Sequence, residues 1–545
     1  MSREPSERPN IILILADDMG FSDIGCYGSE IRTPNLDALA GGGVRFSQMY
    51  NMARCCPSRA ALLTGLNPHQ AGIGHMVRDL GYPGYRGFIN ESCVTVAEVL
   101  GASGYSTLMS GKWHVGGDYN LLEPNSWTPG DASHPIPTQR GFERFYGIVT
   151  GAASYFHPQT LMRDDQVIEA DSADYYFTDA ISDNAVRMIE EDTTREKPFF
   201  LYVSYTAPHW PLHALEEDIA KYEGRYSGGW DTLRTDRHEE LKGMGVLDSK
   251  WEISARHADV VPWGEAPDRE WEAMRMAVYA AQIDRMDQGI GKIMAKVREL
   301  GAEDNTIVMF LSDNGGCAEF LAEDTNHAQP YRYGAPTQDG RPVVVGNIPT
   351  LSPGPDDTFM SYDIQWANAS NTPFRLFKHW VHEGGISTPF IVSWPERIKQ
   401  ARIVAEPTQV IDIFATCIDA AGAGYPSEFN GHAITPLEGE SLVPVLDERP
   451  WSRQQTIFWE HEGNRAVRSG QWKLVSEFGK AWELYDMNED RSELNDLSHG
   501  DQTRVRELAR LHEEWAARCG VQPWPVLPQT PPPEVRGGHG HVVSG

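Results

Sequence analysis

The stretch that decides the fold class is residues 10–18, which read Asn-Ile-Ile-Leu-Ile-Leu-Ala-Asp-Asp. The residues before the two aspartates carry no charge and are mostly β-branched or leucine, which is typical of a strand buried on both faces of a parallel sheet. Similar runs recur at 198–204, 306–312 and 389–394, with helical patterns at 33–41, from 60 to 63 and at 270–300. This alternation predicts an α/β fold with a large, mostly parallel central sheet flanked by helices.

The character of the chain changes near residue 451. Short strand-like runs separated by glycines follow, and a helical pattern covers 501–519. They predict a smaller C-terminal domain with a short antiparallel sheet and a helix. The expected division is an N-terminal extension at 1–8, a catalytic domain at 9–450, the C-terminal domain at 451–520 and a Pro/Gly-rich tail at 521–545.

Two long stretches interrupt the α/β pattern, a charged one at 223–269 and a Pro/Gly/Asn/Asp-rich one at 320–369. Loops of that length in a compact domain are usually functional or disordered, and we expect them over the active-site face. They carry aromatic residues that would either stack on a substrate ring or pack on the surface: Trp230, Trp251, Trp263, Tyr331 and Tyr333.

The composition excludes some classes of partner. The formal net charge is -30, which disfavours nucleic acid and anionic membrane surfaces. It also disfavours an anionic substrate at long range, so any anion site must carry its own cluster of positive charge. A hydrophobic share of 40% is enough for a sizeable core.

The cysteines and the apolar segments bear on localisation. The chain has 7 cysteines at irregular spacing, which is not a disulfide framework and fits a reducing compartment. The first apolar run, residues 11–16, is too short for a signal sequence, and no run approaches the roughly 20 apolar residues of a membrane span. These features predict a cytoplasmic protein without a membrane partner.

Acidic and amide side chains follow two of the buried strands. Asp17 and Asp18 end the first run, and Asp313 and Asn314 follow the run at 306–312. Taken singly, the first pair also fits a helix cap and the second an ordinary Asn-Gly turn. Together, three carboxylates and one amide oxygen at the carboxyl ends of strands describe a Ca²⁺ or Mg²⁺ site, without the His/Cys set that zinc prefers.

The motif Cys-Cys-Pro-Ser-Arg-Ala-Ala-Leu-Leu-Thr-Gly spans residues 55–65. It resembles the C-x-[PA]-S-R-x-x-L-L-T-G signature of type I sulfatases, in which the first cysteine is oxidised to Cα-formylglycine. The resemblance implies that Cys55 is the modified residue, because only Cys55 has proline two positions on and arginine four positions on. It also implies a formylglycine-generating maturation enzyme as a partner.

The resemblance extends over nearly the whole chain, towards soluble bacterial arylsulfatases of the alkaline phosphatase superfamily. Gly-Lys-Trp-His at 111–114, Ala-Pro-His-Trp-Pro at 207–211, and the segment 371–378 followed by His-Glu-Gly-Gly at 382–385 resemble further family elements, in the family's order. Each element alone is weak, since a lone lysine or histidine in a loop is more often solvated than catalytic. Their co-occurrence makes the set specific.

The resemblance implies a positive site for a sulfate monoester. A metal ion would be bound by Asp17, Asp18, Asp313 and Asn314. Beside it would lie a cationic cluster, whose members are Arg59, Lys112, His209 and Lys378. The cluster would stabilise the sulfuryl oxygens, with Lys112, His209 and Lys378 binding the substrate and Arg59 contacting the nucleophile and the metal region.

The resemblance also implies a covalent mechanism. A metal-bound hydroxyl of the hydrated formylglycine at position 55 would attack sulfur, with Asp313 as its base and a sulfated enzyme as intermediate. His209, with Lys378, would protonate the leaving oxygen. The second hydroxyl would expel sulfate as His114 takes its proton. The overall reaction converts an aryl or alkyl sulfate to an alcohol and inorganic sulfate.

There are three alternatives, one of them from the same superfamily. A phosphonate monoester or phosphodiester hydrolase of the same superfamily would carry histidine in the late metal motif, so Asn314 favours a sulfatase. An inactive protein that binds sulfate esters would have lost a nucleophile or a metal ligand, whereas every expected position is filled. A sulfotransferase would need a nucleotide phosphate loop, which is not evident in the sequence.

Overall fold

The computed structural model describes residues 8–123, 125–170, 172–192, 197–323 and 337–528. Tyr331 and Tyr333 lie outside these ranges, as do most of the expected extension at 1–8 and most of the expected tail at 521–545.

The secondary structure alternates strands and helices along most of the chain. The strands are β1 Asn10–Ala16, β2 Val44–Tyr50, β3 Ser106–Gly111, β4 Arg144–Ile148, β5 Leu161–Arg163, β6 Gln166–Val167, β7 Phe199–Ser204, β8 Thr306–Ser312, β9 Val344–Val345, β10 Thr358–Phe359, β11 Ser387–Ser393, β12 Arg402–Val404, β13 Thr408–Gln409, β14 Glu428–Phe429, β15 His432–Ala433, β16 Ile457–His461, β17 Asn464–Ser469, β18 Trp472–Ser476 and β19 Glu483–Asp486. The helices are α1 Pro34–Gly41, α2 Cys55–Thr64, α3 Val96–Ala102, α4 Phe177–Asp192, α5 Glu216–Ile219, α6 Gly229–Gly243, α7 Arg269–Glu299, α8 Asp363–Ser370, α9 Glu383–Ile386, α10 Ile411–Ala421, α11 Val443–Leu446 and α12 Gln502–Cys519.

An 11-stranded sheet forms the centre, in the order β12-β2-β11-β8-β1-β7-β3-β4-β5-β6, with β13 also paired to β2. Strands β8, β1, β7, β3 and β4 run parallel to one another. The prediction of a mostly parallel sheet is confirmed. The run at 389–394 falls within β11, which is antiparallel to both of its neighbours, β8 and β2.

The two faces of β1 explain why its sequence is apolar throughout. Ile11, Leu13 and Leu15 join the core cluster that contains residues of α2, α3 and α10. Ile12 and Ile14 join the cluster on the other face, with residues of α4 and α7. Because successive strand residues point to opposite faces, helices on both sides demand apolar side chains at every position.

The C-terminal strands β16 to β19 form a separate antiparallel sheet in sequential order. Trp459 and Val475 on one face join the core cluster of α2 and α10, whereas Leu474 and Leu484 on the other face pack against α12. The predicted short antiparallel sheet and helix are therefore present. One face of this sheet is part of the main hydrophobic core.

The stretch at 223–269 is not the continuous loop that we expected, because α6 occupies its first half. The buried positions Trp230, Arg234, Arg237 and Leu241 recur at helical spacing, but two of them are arginines, which hides the apolar pattern. Arg237 is buried because it pairs with Asp23 at 2.6 Å.

The tryptophans of the same stretch pack inside the protein. Trp230 is 2% exposed and Trp251 is 8% exposed, so neither offers a face to a substrate. Trp263 packs edge-on against Trp230, with ring centroids 4.7 Å apart. Their role is therefore packing.

Two further findings concern the membrane and the cysteines. Within the described ranges, no helix combines the length and the apolar character needed to cross a membrane. All seven cysteines lie in described parts of the chain, where they are buried and form no disulfide.

Candidate active site

The predicted site residues meet at the carboxyl edge of the central sheet, where ligand sites of open α/β sheets lie. Asp17 and Asp18 follow β1, Asp313 and Asn314 follow β8, and Lys112 follows β3. Gly111 allows β3 to approach β7 closely, since a Cβ atom there would lie 1.9 Å from the Ser204 carbonyl oxygen. The structure brings all ten predicted residues together. Hydrogen bonds and ion pairs link eight of them: Asp17, Asp18, Arg59, Lys112, His209, Asp313, Asn314 and Lys378. Cys55 and His114 lie next to each other and interact electrostatically with Lys112.

The acidic part of the network is buried. Asp17, Asp18, Asp313 and Asn314 are each at most 1% exposed. The backbone amide of Asp18 donates to Oδ1 of Asp313 at 3.2 Å, and Nδ2 of Asn314 donates to Oδ1 of Asp18 at 2.7 Å. Oδ1 of Asp17 and Oδ1 of Asn314 have no hydrogen-bond partner among the described residues. Oδ1 of Asp17 is within ion-pair distance of Nη2 of Arg59, at 3.5 Å, but neither buried oxygen accepts a hydrogen bond.

Each carboxylate faces its own cation. Nζ of Lys112 lies 2.5 Å from Oδ2 of Asp17, and Nζ of Lys378 lies 2.8 Å from Oδ2 of Asp18. Arg59 donates from Nε and Nη2 to Oδ2 of Asp313 at 3.0 and 2.8 Å. Buried charges are tolerated only when they are paired in this way.

The pairing shifts the acidity of the carboxyl groups. Although burial opposes it, the charge of Lys112, with His209 and Arg59 nearby, lowers the pKa of Asp17 to about 2. Burial and the neighbouring Asp17 carboxylate raise the pKa of Asp313 well above its ordinary value. The charges of Arg59 and Lys112 therefore do not fully compensate Asp313 for its burial beside Asp17.

These residues fit a hard divalent cation. Carboxylate and amide oxygens are the ligands that Ca²⁺ and Mg²⁺ use, and the two unpartnered oxygens are free to take up such a ligand role. A cation would also relieve the crowding of Asp17 and Asp313. One ring nitrogen of His209 and one oxygen from each of Asp17 and Asp18 lie within 4.8 Å of one another.

Cys55 is the first residue of α2 and is 2% exposed. A hydrogen bond with the Cys56 thiol, together with nearby His114 and Lys112, lowers the pKa of the Cys55 thiol well below its ordinary value, although burial opposes this. The side chain of residue 55 therefore lies where negative charge is stabilised. This is the environment that a nucleophile needs.

His114 lies beside the cysteine pair, with Nε2 3.3 Å from Sγ of Cys56. Burial, with Lys112 and Arg59 nearby, lowers the pKa of His114 to about 4. The imidazole is therefore neutral at neutral pH and able to accept a proton. Its Nδ1 has no hydrogen-bond partner among the described residues.

His209 is held in one orientation by the chain itself. Its Nδ1 lies 2.7 Å from the Trp210 carbonyl oxygen, to which it can only donate. Nε2 then faces Oδ2 of Asp18 at 3.4 Å and Nζ of Lys378 at 3.5 Å. The Nε2 atom is thus directed into the site, next to an ammonium group.

Sequence reasoning missed three residues around the site. Oγ of Ser204 accepts from Nη1 of Arg59 at 2.5 Å, and its position at the carboxyl end of β7 was the signal that would have found it. Glu319 lies 2.9 Å from Arg54, 2.8 Å from Nε1 of Trp210 and 3.8 Å from Lys378. No sequence pattern marks Glu319 or Arg54, because their pairing depends on the fold.

Comparisons with known proteins agree with this architecture. The sulfatase family profile matches residues 9–423, and one for the C-terminal part of N-sulphoglucosamine sulphohydrolase matches 374–517. The chain is 32% identical to an uncharacterized sulfatase of Schizosaccharomyces pombe over 95% of both chains. It is also 32% identical to an arylsulfatase of Klebsiella aerogenes, covering 83% of this chain and 95% of that one. The crystal structure of Ps i-CgsB is similar with a TM-score of 0.64 and 26% identity, covering 93% of each chain.

The chain therefore belongs to the sulfatase family, within the alkaline phosphatase-like superfamily. It is a sulfuric ester hydrolase, an enzyme that hydrolyses sulfate esters.

Removing the ammonium of Lys112 tests the electrostatics of the acidic cluster. The pKa of Asp17 is about 2 instead of the ordinary 3.8. Its stabilising contribution is therefore complete above about pH 4 and is lost as the pH falls towards 2. In the presence of a chelator, we expect Lys112→Met to lower the free energy of unfolding at pH 7 by about 2 kcal/mol, and by less at pH 3.

Urea unfolding at the two pH values measures this difference. Lys292→Met is the matched control, because Lys292 is 48% exposed and pairs with Asp183 on the surface. Equal stability of the two variants at pH 7 would contradict the assignment of Lys112 as the main partner of Asp17.

Proposed function

We propose that this chain hydrolyses aryl or alkyl sulfate monoesters with a Cα-formylglycine made from Cys55 and with Ca²⁺ as its metal. The observation that carries the proposal is the position of Cys55. Its side chain is buried at the start of α2, beside His114 and within the field of Lys112, Arg59 and Asp313. Nucleophile, cations and metal-ligand oxygens thus belong to one site.

The proposed metal ligands are Asp17, Asp18, Asp313 and Asn314, with Mg²⁺ as the alternative ion. When bound, the cation would supply positive charge to the reacting sulfate and lower the pKa of a coordinated hydroxyl. A hydrated aldehyde at position 55 would supply one hydroxyl to attack sulfur and a second to expel sulfate, which a thiol cannot do.

Lys112 and Lys378 are suited to bind the sulfuryl oxygens. An ammonium group has three donors, and the ion pairs with Asp17 and Asp18 use one donor on each lysine. The remaining donors can reach substrate oxygens. Because both ammonium groups are fixed before the substrate arrives, they stabilise charge without a large reorganisation. They also give an acidic protein a local positive site.

Each of the two histidines is assigned one proton transfer of the proposed reaction. We assign His209 as the acid for the leaving oxygen, since its Nδ1 is held by the Trp210 carbonyl and its Nε2 faces the site. Lys378, 3.5 Å from Nε2, can resupply or share that proton. We assign His114 as the base for sulfate release, because its lowered pKa of about 4 keeps it neutral.

Asp313 and Arg59 complete the proposed site. Asp313 is the proposed base for the attacking hydroxyl as well as a proposed metal ligand. Arg59 donates two hydrogen bonds to Oδ2 of Asp313 and so fixes the orientation of the Asp313 carboxylate. Arg59 also lies 3.5 Å from Asp17, which ties the nucleophile helix to the metal ligands.

The proposal includes a formylglycine-generating maturation enzyme as a partner. With Cys55 only 2% exposed, such an enzyme can reach the thiol only before the chain has closed around it. Chains made without the partner would keep a thiol at position 55 and fold in the same way, because the change concerns one small side chain.

Substrate preference tests the function. On one matured preparation, we expect kcat/KM for p-nitrophenyl sulfate to exceed that for a p-nitrophenyl phosphonate monoester by orders of magnitude. Cys55→Ala should be inactive, while Cys417→Ala, which removes a buried thiol in α10, should remain active. A preference for the phosphonate would instead support a phosphonate monoester or phosphodiester hydrolase and would overturn the argument from Asn314.

Metal removal tests the cofactor assignment. A chelator should abolish turnover, and Ca²⁺ should restore it more effectively than Mg²⁺. Asp18→Asn keeps the side-chain size but removes a charge, so we expect the Ca²⁺ concentration for half-maximal activity to rise by at least about tenfold. Asp183→Asn, on the surface and paired with Lys292, is the control. Full activity after complete chelation would contradict the assignment.

A further inference from the structure

Outside the sulfatase site, three imidazoles converge on one carboxylate. Nε2 of His75 lies 2.6 Å from Oε1 of Glu462, and Nδ1 of His379 lies 2.7 Å from Oε2. His461 stacks on His75 with ring centroids 5.8 Å apart and meets the His379 ring edge-on at 5.6 Å. Each of His379, His461 and Glu462 offers one ligand atom, and these three atoms lie within 4.8 Å of one another. We call these four residues the histidine cluster.

His461 is the unexplained member of the histidine cluster. Its side chain is 0% exposed, and neither ring nitrogen has a hydrogen-bond partner among the described residues. Its Nε2 lies 3.7 Å from Oε1 of Glu462, which is beyond hydrogen-bond distance. Buried polar groups are nearly always satisfied, so an unsatisfied ring directed into a group of ligand atoms indicates a missing partner.

The backbone of the histidine cluster is also unusual. His379 has φ +91° and Glu462 has φ +51°, which are left-handed conformations that large side chains rarely adopt. Glu462 lies with Gly463 in the turn between β16 and β17, a position that usually takes Asn, Asp or Gly. Such conformations persist where the surrounding structure requires the side chain, and they occur often at ligand sites.

We propose that the histidine cluster is a second metal site, for a divalent transition-metal ion such as Zn²⁺. Imidazole nitrogen and carboxylate oxygen are the ligands that such ions take, whereas Ca²⁺ takes oxygen. The negative charge of Glu462 at the centre favours a cation over an anion. An ion bound by His379, His461 and Glu462, with His75 beside them, would give the unpartnered Nε2 of His461 a partner, because that nitrogen would become a ligand of the ion.

Asn464 sets the protonation state that the ion must change. Its Nδ2 lies 3.3 Å from Nε2 of His379 and donates to the His461 carbonyl oxygen at 3.0 Å. Without a metal, Nε2 of His379 therefore accepts and Nδ1 donates to Glu462. Metal binding at Nδ1 would move that proton to Nε2, where Nδ2 of Asn464 could no longer donate. Asn464 would keep its bonds to the His461 carbonyl oxygen and to the Phe478 amide. Nδ1 of His379 and Oε2 of Glu462, now 2.7 Å apart, would also have to move apart slightly to bind the same ion.

The location gives the proposed site a structural role. His379 directly follows Lys378, which pairs with Asp18 in the sulfatase site. His461 and Glu462 belong to the β16–β17 hairpin of the C-terminal sheet, and His75 lies in the loop after α2. An ion here would tie the lysine-bearing segment to the C-terminal sheet.

The test uses Co²⁺, which reports its coordination by visible absorption, on the full chain without a histidine tag and in excess Ca²⁺. We expect the wild type to bind one equivalent with a nitrogen- and oxygen-ligated spectrum. Glu462→Gln and His379→Gln should each weaken binding by at least about tenfold. His432→Gln, a histidine that is 47% exposed and lies outside the cluster, should leave binding unchanged.

Thermal unfolding provides a second readout. Co²⁺ or Zn²⁺ should raise the unfolding temperature of the wild type and of His432→Gln, but not that of the cluster variants. If Glu462→Gln does not fold, His75→Gln, whose side chain is 22% exposed, replaces it and should weaken binding. The proposal is wrong if Co²⁺ does not bind in excess Ca²⁺, or if its spectrum and affinity are unchanged in folded cluster variants.

Discussion

The active site depends on the balance of buried charge at the carboxyl edge of the central sheet. Three carboxylates and three cations are removed from water there, and each carboxylate lies within 2.8 Å of a cationic nitrogen. Any one of these charges left alone would be strongly unfavourable in the interior. The chain must therefore deliver all six side chains together, from segments as far apart as Asp17 and Lys378.

The central sheet is what makes this delivery possible. Parallel strands β1, β7, β3 and β8 end at one edge. The residues that follow these strands therefore meet there, although they are far apart in the sequence. Helix α2 adds Cys55 and Arg59 from one side. The same arrangement leaves two buried oxygens that accept no hydrogen bond, and the proposed cation site rests on them.

Sequence reasoning predicted Asp17, Asp18, Asp313 and Asn314 from the ends of apolar strands. Lys112, His209 and Lys378 were reached only through the family resemblance. For Lys378 no local pattern could help, since it follows no strand and its approach to Asp18 depends on a long connection. Ser204 and Glu319 were missed because their partners, Arg59 and Arg54, are distant in the chain. Helix α6 was missed because buried arginines occupy its inner face.

The histidine cluster shows the same limit. Its members come from three separate parts of the chain, which contribute His75, His379 and the adjacent pair His461 and Glu462, and single histidines in loops carry little information in a sequence. In the fold, they become neighbours because the β16–β17 hairpin packs next to the segment after Lys378. Contacts of this kind arise from tertiary packing and leave no pattern in the local sequence.

The proposed chemistry requires residue 55 to react as an aldehyde and not as a thiol. The most direct measurement is mass spectrometry of the peptide that contains Cys55 and Cys56, on preparations made with and without a maturation enzyme, alongside turnover of an aryl sulfate. We expect an aldehyde at position 55, an intact thiol at position 56, and a turnover rate proportional to the aldehyde fraction. Full turnover by chains that carry only a thiol at position 55 would contradict it.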